Sequence, residues 1–255
     1  MEFNAIVRVL PRVRALTRRG PAGRESQAGS LHVLLIRTGI GSDRARSIAQ
    51  QILKSQSCDV VISTGFAGAL NSSPIGSLVI GTEVLLGQFR DLSPCSHQSR
   101  IVCHPDWVKT SLNIQMGPYP LQYGRFVTMD RVLTHASQKH ILEKRTGAVA
   151  VDMESGAIGQ VALQHGLPFL IIRAISDGVN EDLPLDFNMF LKPSGWVGGV
   201  RHVLFNPRCW MGFWRLYRNS RKAGLQLSGF FEKFFTTLST DASSITPLKT
   251  SVLNL

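Results

Sequence analysis

Apolar residues in this chain gather in short continuous runs rather than in alternation, and most of the runs stop at a glycine or an acid. LHVLLIRTGIG (31–41), CDVVISTGFAGAL (58–70), GSLVIGTEVLL (76–86), RFVTMDRVL (125–133), AVAVDME (148–154) and PFLIIRAIS (168–176) are strand-length and rich in Val, Ile and Leu. Runs of this kind, bounded by turn residues, predict strands buried on both faces. Between them SDRARSIAQQILK (42–54), HASQKHILEKRTG (135–147) and SGAIGQVALQHG (155–166) read as helices. Ser42 or Asp43 is the expected N-cap of the first, and Gly147 and Gly166 stop the other two. Strand and helix alternate, so the expected fold class is α/β, a mostly parallel or mixed central sheet with helices on both faces. In such folds ligands gather at the carboxyl ends of the strands.

The pattern changes in the last quarter. WVGGVRHVLFNPRCWMGFWRLYRNSRKAGLQLSGFFEKFF (196–235) mixes Trp, Phe and Leu with Arg and Lys, and predicts two helices divided at Asn206-Pro207. TTLSTDASSITPLKTSVLNL (236–255) reads as a loose polar tail. Composition adds bounds: 255 residues with 44% hydrophobic content fill a sizeable core. No run reaches the roughly 18 to 20 apolar residues of a membrane span. The Arg-rich start lacks a secretory apolar segment with a cleavage site. Cys58, Cys95, Cys103 and Cys209 form no CxxC pair, which points to reduced thiols and no metal site. A formal charge of +11 means that some surface attracts anions.

The candidate chemistry sits at the run ends. Asp152, Glu154 and Asp177 close or follow two apolar runs, and Gly39 to Gly41 and Gly65 to Gly68 close two others, so all should line one crevice. Each acid alone has an ordinary reading: Glu154 as a first-turn helix acid, Asp177 as a turn cap before Gly178. Together they form the convergent polar set that marks a site.

VDMESGAIGQVALQHGLPFLIIRAISD (151–177) resembles the signature region of the nucleoside phosphorylase and nucleosidase superfamily, especially the 5′-methylthioadenosine/S-adenosylhomocysteine nucleosidases. TGIG, STGFAGAL, GSLVIGTEVL and LPLDFNMFL match that family in order, so the likeness covers about residues 30 to 192. It implies purine N-glycosidic cleavage. Asp177 would donate a proton to purine N7, with Ser176 orienting it, and Glu154 would accept hydrogen bonds from the ribose hydroxyls. Met153 would pack under the sugar, Asp152 would support from behind, and Gly65, Phe66, Ala67 and Gly68 would flank the nucleoside, as would Leu133 and Phe187. Gly39, Ile40 and Gly41 form the water or phosphate pocket, where Arg44 is either a phosphate ligand or a solvated first-turn residue. No cofactor is implied, and phosphate is the one candidate co-substrate.

Two departures stand out. The strand that opens family members is missing before Met1, which leaves Glu2, the counterpart of the water-activating glutamate, at a free end and suggests an earlier start. Val132 replaces the aromatic that stacks on adenine. The expected organisation is a phosphorylase-like domain over 1–192, a basic aromatic extension over 193–236 and a disordered tail over 237–255. The extension resembles the hopanoid-associated phosphorylase branch, proposed to act on adenosylhopane. The expected protein is a cytoplasmic homo-oligomer with no specific nucleic acid partner, and the mixture of Trp196, Trp210, Phe213, Trp214, Phe230 and Phe231 with neighbouring arginines either docks on an anionic inner membrane face or covers the core or a subunit interface while the arginines point to water. The rival reading is a non-catalytic binding protein that keeps the fold and attaches to membrane or nucleic acid through its basic helices.

Overall fold

The apolar runs do form strands, and their two-sided burial explains their composition. In β4 (Val60–Ala69), Val60 and Ile62 join one hydrophobic cluster while Val61, Ala67 and Ala69 join another. In β10 (Phe169–Asp177), Leu170, Ile172 and Ala174 face the first cluster and Phe169, Ile171 and Ile175 the second. The computed structural model describes residues 1–16, 21–29, 31–88, 93–94, 100–117, 121–183, 207–240 and 250–254. The remaining strands are β1 (Arg14–Ala15), β2 (Gly23–Ala28), β3 (Leu31–Ile36), β5 (Leu78–Gln88), β6 (Ser93–Pro94), β7 (Arg100–Val102), β8 (Leu121–Met129), β9 (Ala150–Asp152) and β11 (Thr250–Asn254). The helices are α1 (Glu2–Val7), α2 (Ser42–Ser55), α3 (Pro105–Leu112), α4 (Ala136–Thr146), α5 (Ser155–Gln164) and α6 (Pro207–Thr240).

The sheet order is β1-β2-β3-β11-β4-β10-β5-β8-β9, with β6 and β7 added on β5. β3, β11, β4 and β10 run parallel, β10 meets β5 antiparallel, and β5, β8 and β9 run parallel. β9 then returns to pair with β4 through Gly68 opposite Val151 and Ala69 opposite Ala150. The sheet therefore curls shut on that side. This closure brings Asp152, at the end of β9, to the edge where β4 and β10 also finish.

Helices cover both faces. Phe3 and Ile6 of α1 and Leu227, Phe230, Phe231 and Phe234 of α6 pack on one face, and Ala45, Ala49, Ile158 and Val161 of α2 and α5 on the other. Gly147 and Gly166 adopt left-handed φ of 62° and 66° beyond α4 and α5, as expected of helix stops. The N-cap of α2 differs: Gly41 holds that position, and Ser42 Oγ instead donates to Met153 O at 2.6 Å.

Three expectations for the later residues need correction. The extension and tail boundary at 236 falls inside α6, a single helix of 34 residues that runs to Thr240. Its second half is core rather than appendage, since Phe230 stacks on Phe234 at 5.6 Å and Phe231 meets Phe230 edge-on. Pro207 opens α6, a position where its missing N–H costs nothing, while residues 196–206, with Trp196, lie outside the described residues. Thr250–Asn254 forms not loose tail but β11, paired in parallel with both β3 and β4. Two strands offering unpaired N–H and C=O groups on facing edges outweigh the weak local propensity of a Ser- and Thr-rich segment.

Candidate active site

Arg173 interrupts the apolar run of β10 and is only 4% exposed, so its guanidinium depends on protein partners. Nε lies 3.2 Å from Asp152 Oδ2, and Nη2 lies 3.6 Å from Glu154 Oε2. Nη2 also donates to Ser63 Oγ at 3.0 Å and Ser155 Oγ at 3.1 Å, while Nη1 donates to Phe66 O at 3.1 Å. Asp152 Oδ1 accepts from Thr128 Oγ1 at 2.5 Å and from the Ser155 N–H at 3.3 Å. Its Oδ2 faces Arg173 as an ion pair without hydrogen-bond alignment. Glu154 Oε1 accepts the Gly41 N–H at 2.9 Å, which ties the first glycine turn to the acid pair.

Glu2 completes the cluster from α1. Gly65 has a φ of 144°, and a Cβ there would stand 2.9 Å from Arg173 Nη1 and 3.6 Å from Glu2 Oε1. Only glycine lets the backbone pass between these two charges. Glu2 is not left at a loose end, because Phe3 and Ile6 anchor its helix in the core.

One guanidinium thus faces three carboxylates, and the consequence is electrostatic. Burial pushes Glu154 up to about 7, Asp152 and Glu2 adding to the rise against the opposing pull of Arg173 and the Gly41 N–H. Burial raises Glu2 as well, again against Arg173. A carboxyl that titrates near neutrality can take up and return protons.

Asp177 ends β10 in a different setting. Ser176 Oγ donates to its Oδ1 at 3.0 Å, and Lys139 Nζ donates to its Oδ2 at 2.6 Å. Lys139 is 1% exposed and spends its other donors on Gly178 O at 2.7 Å and Glu181 O at 3.3 Å. A Cβ on Gly68 would stand 2.9 Å from Asp177 Oδ2, so the stretch Gly65 to Gly68, expected to close the run as a turn but in fact strand within β4 paired with β10, is shaped around this carboxylate.

Most residues anticipated from the sequence converge. Gly39, with a φ of 77°, lies under Arg44, whose Nε would be 3.0 Å from a Cβ there, and Ile40 is exposed at the tip of the turn. Ala67 and Met153 are buried at the strand ends and Val132 is half-buried. Leu133 is buried and packs in one cluster with Val127, Met129, Leu142 and Ala148. Phe66 offers its carbonyl to Arg173, while its ring packs towards α6, 3.7 Å from where a Cβ on Gly224 would stand. Phe187 lies outside the described residues. Sequence reasoning missed Arg173, Lys139, Thr128, Ser63 and Ser155 as site residues. The available signal was Arg173 itself, a charge within a run that had to be buried.

With this geometry in hand, comparison with known proteins is informative. Residues 2–192 match the profile of the Phosphorylase superfamily. The chain belongs to that superfamily. A relative from Shewanella sp. (strain MR-7), a 5′-methylthioadenosine/S-adenosylhomocysteine nucleosidase, is 30% identical over 197 residues, covering 72% of this chain and 84% of the relative. The Shewanella oneidensis enzyme of the same name is 29% identical, covering 68% and 78%. Among solved structures, the Neisseria meningitidis nucleosidase in complex with methylthio-immucillin-A superposes with a TM-score of 0.71 at 20% identity, covering 92% of this chain and 94% of that one. The Helicobacter pylori nucleosidase with butyl-thio-DADMe-Immucillin-A gives 0.71 at 14% identity, with the same coverage. These structural likenesses speak to the phosphorylase superfamily fold alone.

Proposed function

We propose that this superfamily member hydrolyses the N-glycosidic bond of a purine nucleoside, with adenine as the departing base. The observation that carries the reading is the meeting at one sheet edge of two chemically different carboxyl sites: Asp177 held by Ser176 and Lys139, and Glu154 with Glu2 around Arg173. Cleavage leaves positive charge on the ribose and negative charge on the base. Asp177 delivers a proton to N7 as the C1′–N9 electron pair moves into the purine, and the Lys139 ammonium stabilises the carboxylate left behind. Glu2 takes a proton from water as its oxygen bonds C1′, and Glu154 accepts from the ribose hydroxyls. Free base and free sugar result.

Water is favoured over phosphate because a phosphate beside Arg173 would also meet Asp152, Glu154 and Glu2. Phosphorolysis is the second reading, supported by Arg44 lying over Gly39 at the start of α2, where helix N–H groups and a guanidinium suit an anion. For the 5′ substituent we extend the proposal to a lipid-linked nucleoside such as adenosylhopane. Its support is the resemblance of the extension, together with the approach of Phe66, in the glycine-rich end of β4, to 3.7 Å from where a Cβ on Gly224 of α6 would stand. A homo-oligomeric, cytoplasmic enzyme is part of the same reading.

Incubation with 5′-methylthioadenosine, with and without phosphate, tests it. Adenine and free sugar should form at a rate indifferent to phosphate. Dependence on phosphate with formation of a sugar 1-phosphate would establish phosphorolysis instead. Nucleoside binding without any release of base would favour the non-catalytic binding protein.

A further inference from the structure

The outward face of α6 changes character along its length. Towards the C-terminus this face carries Glu232, Lys233 and Thr236, all exposed, as an ordinary solvated helix face does. Nearer the N-terminus, Met211, Trp214, Arg218, Arg221 and Leu225 follow at spacings of three and four on the same side of the helix. Met211 is 82% exposed, Trp214 62% and Leu225 63%. Among the residues of α6 whose burial is described, the buried ones run from Ala223 to Leu238 and include none of these three. Large apolar groups grouped on one exposed face call for a partner, whereas single ones do not.

Charge narrows the partner. Arg215, Arg218 and Arg221 are exposed along this stretch, and α6 contains no acid before Glu232. Arg8, just beyond α1, adds a further cation across a cleft of about 260 Å³ that is also lined by Tyr217, Arg221 and Leu225. The Arg218 guanidinium lies 4.7 Å from the centre of the Trp214 ring, so cation and aromatic present one surface. A protein partner would need a matching apolar socket, but a bilayer interface accepts aromatic rings, aliphatic tips and guanidinium groups together. No helix among the described residues is long and apolar enough to cross a membrane, so contact is from one side.

We propose that the first half of α6 docks on an anionic lipid bilayer, with Met211, Trp214 and Leu225 entering the headgroup boundary and Arg215, Arg218 and Arg221 meeting lipid phosphates and carboxylates. The proposal stands apart from the nucleosidase reading, because it uses none of the site residues. It also has a geometric consequence: Phe66 lies 3.7 Å from where a Cβ on Gly224 of the docked segment would stand, so docking brings the glycine-rich end of β4 towards the lipid.

The test uses the full chain and two vesicle preparations, phosphatidylcholine alone and an equimolar mixture with phosphatidylserine. Co-sedimentation should occur with the mixed vesicles at low salt and fall at least about tenfold in high salt, as each basic residue near such a surface adds about fivefold in affinity. Reversing Arg218→Glu and Arg221→Glu together should weaken binding about a hundredfold or more. Trp214→Ser should remove the part that survives salt. Lys54→Glu, on α2 across the sheet, should change binding little, and release of adenine from a water-soluble nucleoside should be the same in all variants. Failure of the parent chain to bind mixed vesicles at low salt overturns the proposal. So does unchanged binding by the charge-reversed variant, or a self-association that Trp214→Ser abolishes while vesicles are ignored. That last result would identify the face as a contact between copies.

Discussion

Two buried acid clusters in this protein use the same residue types in opposite proportions. Around Glu83, on β5, one carboxylate faces two guanidinium groups: Arg125 Nε donates to it at 2.5 Å, and Arg100 from β7 pairs with its other oxygen. Burial pushes Glu83 up, yet the hydrogen bond and charge of Arg125, with those of Arg100, outweigh it and hold the group below the usual carboxylate range. Around Arg173 one guanidinium serves three carboxylates, and Glu154 rises to about 7. The first arrangement is charged at every physiological pH and pins three strands together. The second retains a proton that can be exchanged. The ratio of cations to acids, rather than burial alone, separates a structural ion network from a chemical site.

The largest expected effect tests whether activity belongs to the acid-rich edge at all. Asp177→Asn should lower base release by about 10² to 10⁴-fold, the usual contribution of a general acid, with little change in unfolding free energy. A variant as fast as the parent would remove Asp177 from the mechanism. Next, Arg173→Met strips the acid-rich cluster of its central cation and should cost about 3–5 kcal/mol of stability at pH 8. The cost should shrink towards pH 5, where the orphaned carboxyls can protonate. Denaturant unfolding at the two pH values decides, and equal losses would mean that the carboxyls do not share the guanidinium.

Glu154→Gln sharpens the contrast further. Because the folded-state value of Glu154 lies above its unfolded value of 4.5, the native protein binds the extra proton between about 4.5 and 7. Stability from this group is present below that window and declines as pH rises through it, by up to about 3 kcal/mol. The glutamine variant should lose most of that slope. It should also penalise ribonucleosides at least about tenfold more than 2′-deoxyribonucleosides, which never offered the hydroxyl. Equal penalties would reduce Glu154 to a first-turn acid. The smallest effect is expected at the other cluster, where Glu83→Gln should cost about 1–2 kcal/mol, because Arg100 and Arg125 are partly exposed and can return to water. Its cost should be level between pH 5 and pH 8, and a slope there would erase the distinction between the two regions.

The parts of this site that were legible in the sequence are those built from strand ends. Gly41 and Glu154 lie far apart in the chain, yet both follow buried runs, and the expectation that run ends gather at one crevice anticipated the meeting that the 2.9 Å hydrogen bond records, although β9 reaches it antiparallel to β4. Lys139 was illegible because α4 carries several basic residues and nothing local separates the one that turns inward to Asp177. The curl that pairs β9 with β4 has no sequence signal either, since it depends on how far the whole sheet twists.

β11 gives the fold an unusual relation to its own synthesis. Its register sets Thr250 beside His32 and Ser251 beside Val60, so the strand that lies between β3 and β4 is translated long after both. β3 and β4 emerge early and then wait while the chain between them and β11 is translated, which takes roughly ten to forty seconds at about 5–20 residues per second. During that wait their facing edges present open backbone donors and acceptors, the surface on which neighbouring nascent chains aggregate. Closing so distant a pairing is also a slow step in folding. The sheet between β3 and β4 is therefore completed after translation of Glu154 and Asp177 rather than with them, and a cell making this protein has reason to keep a chaperone on the unfinished sheet.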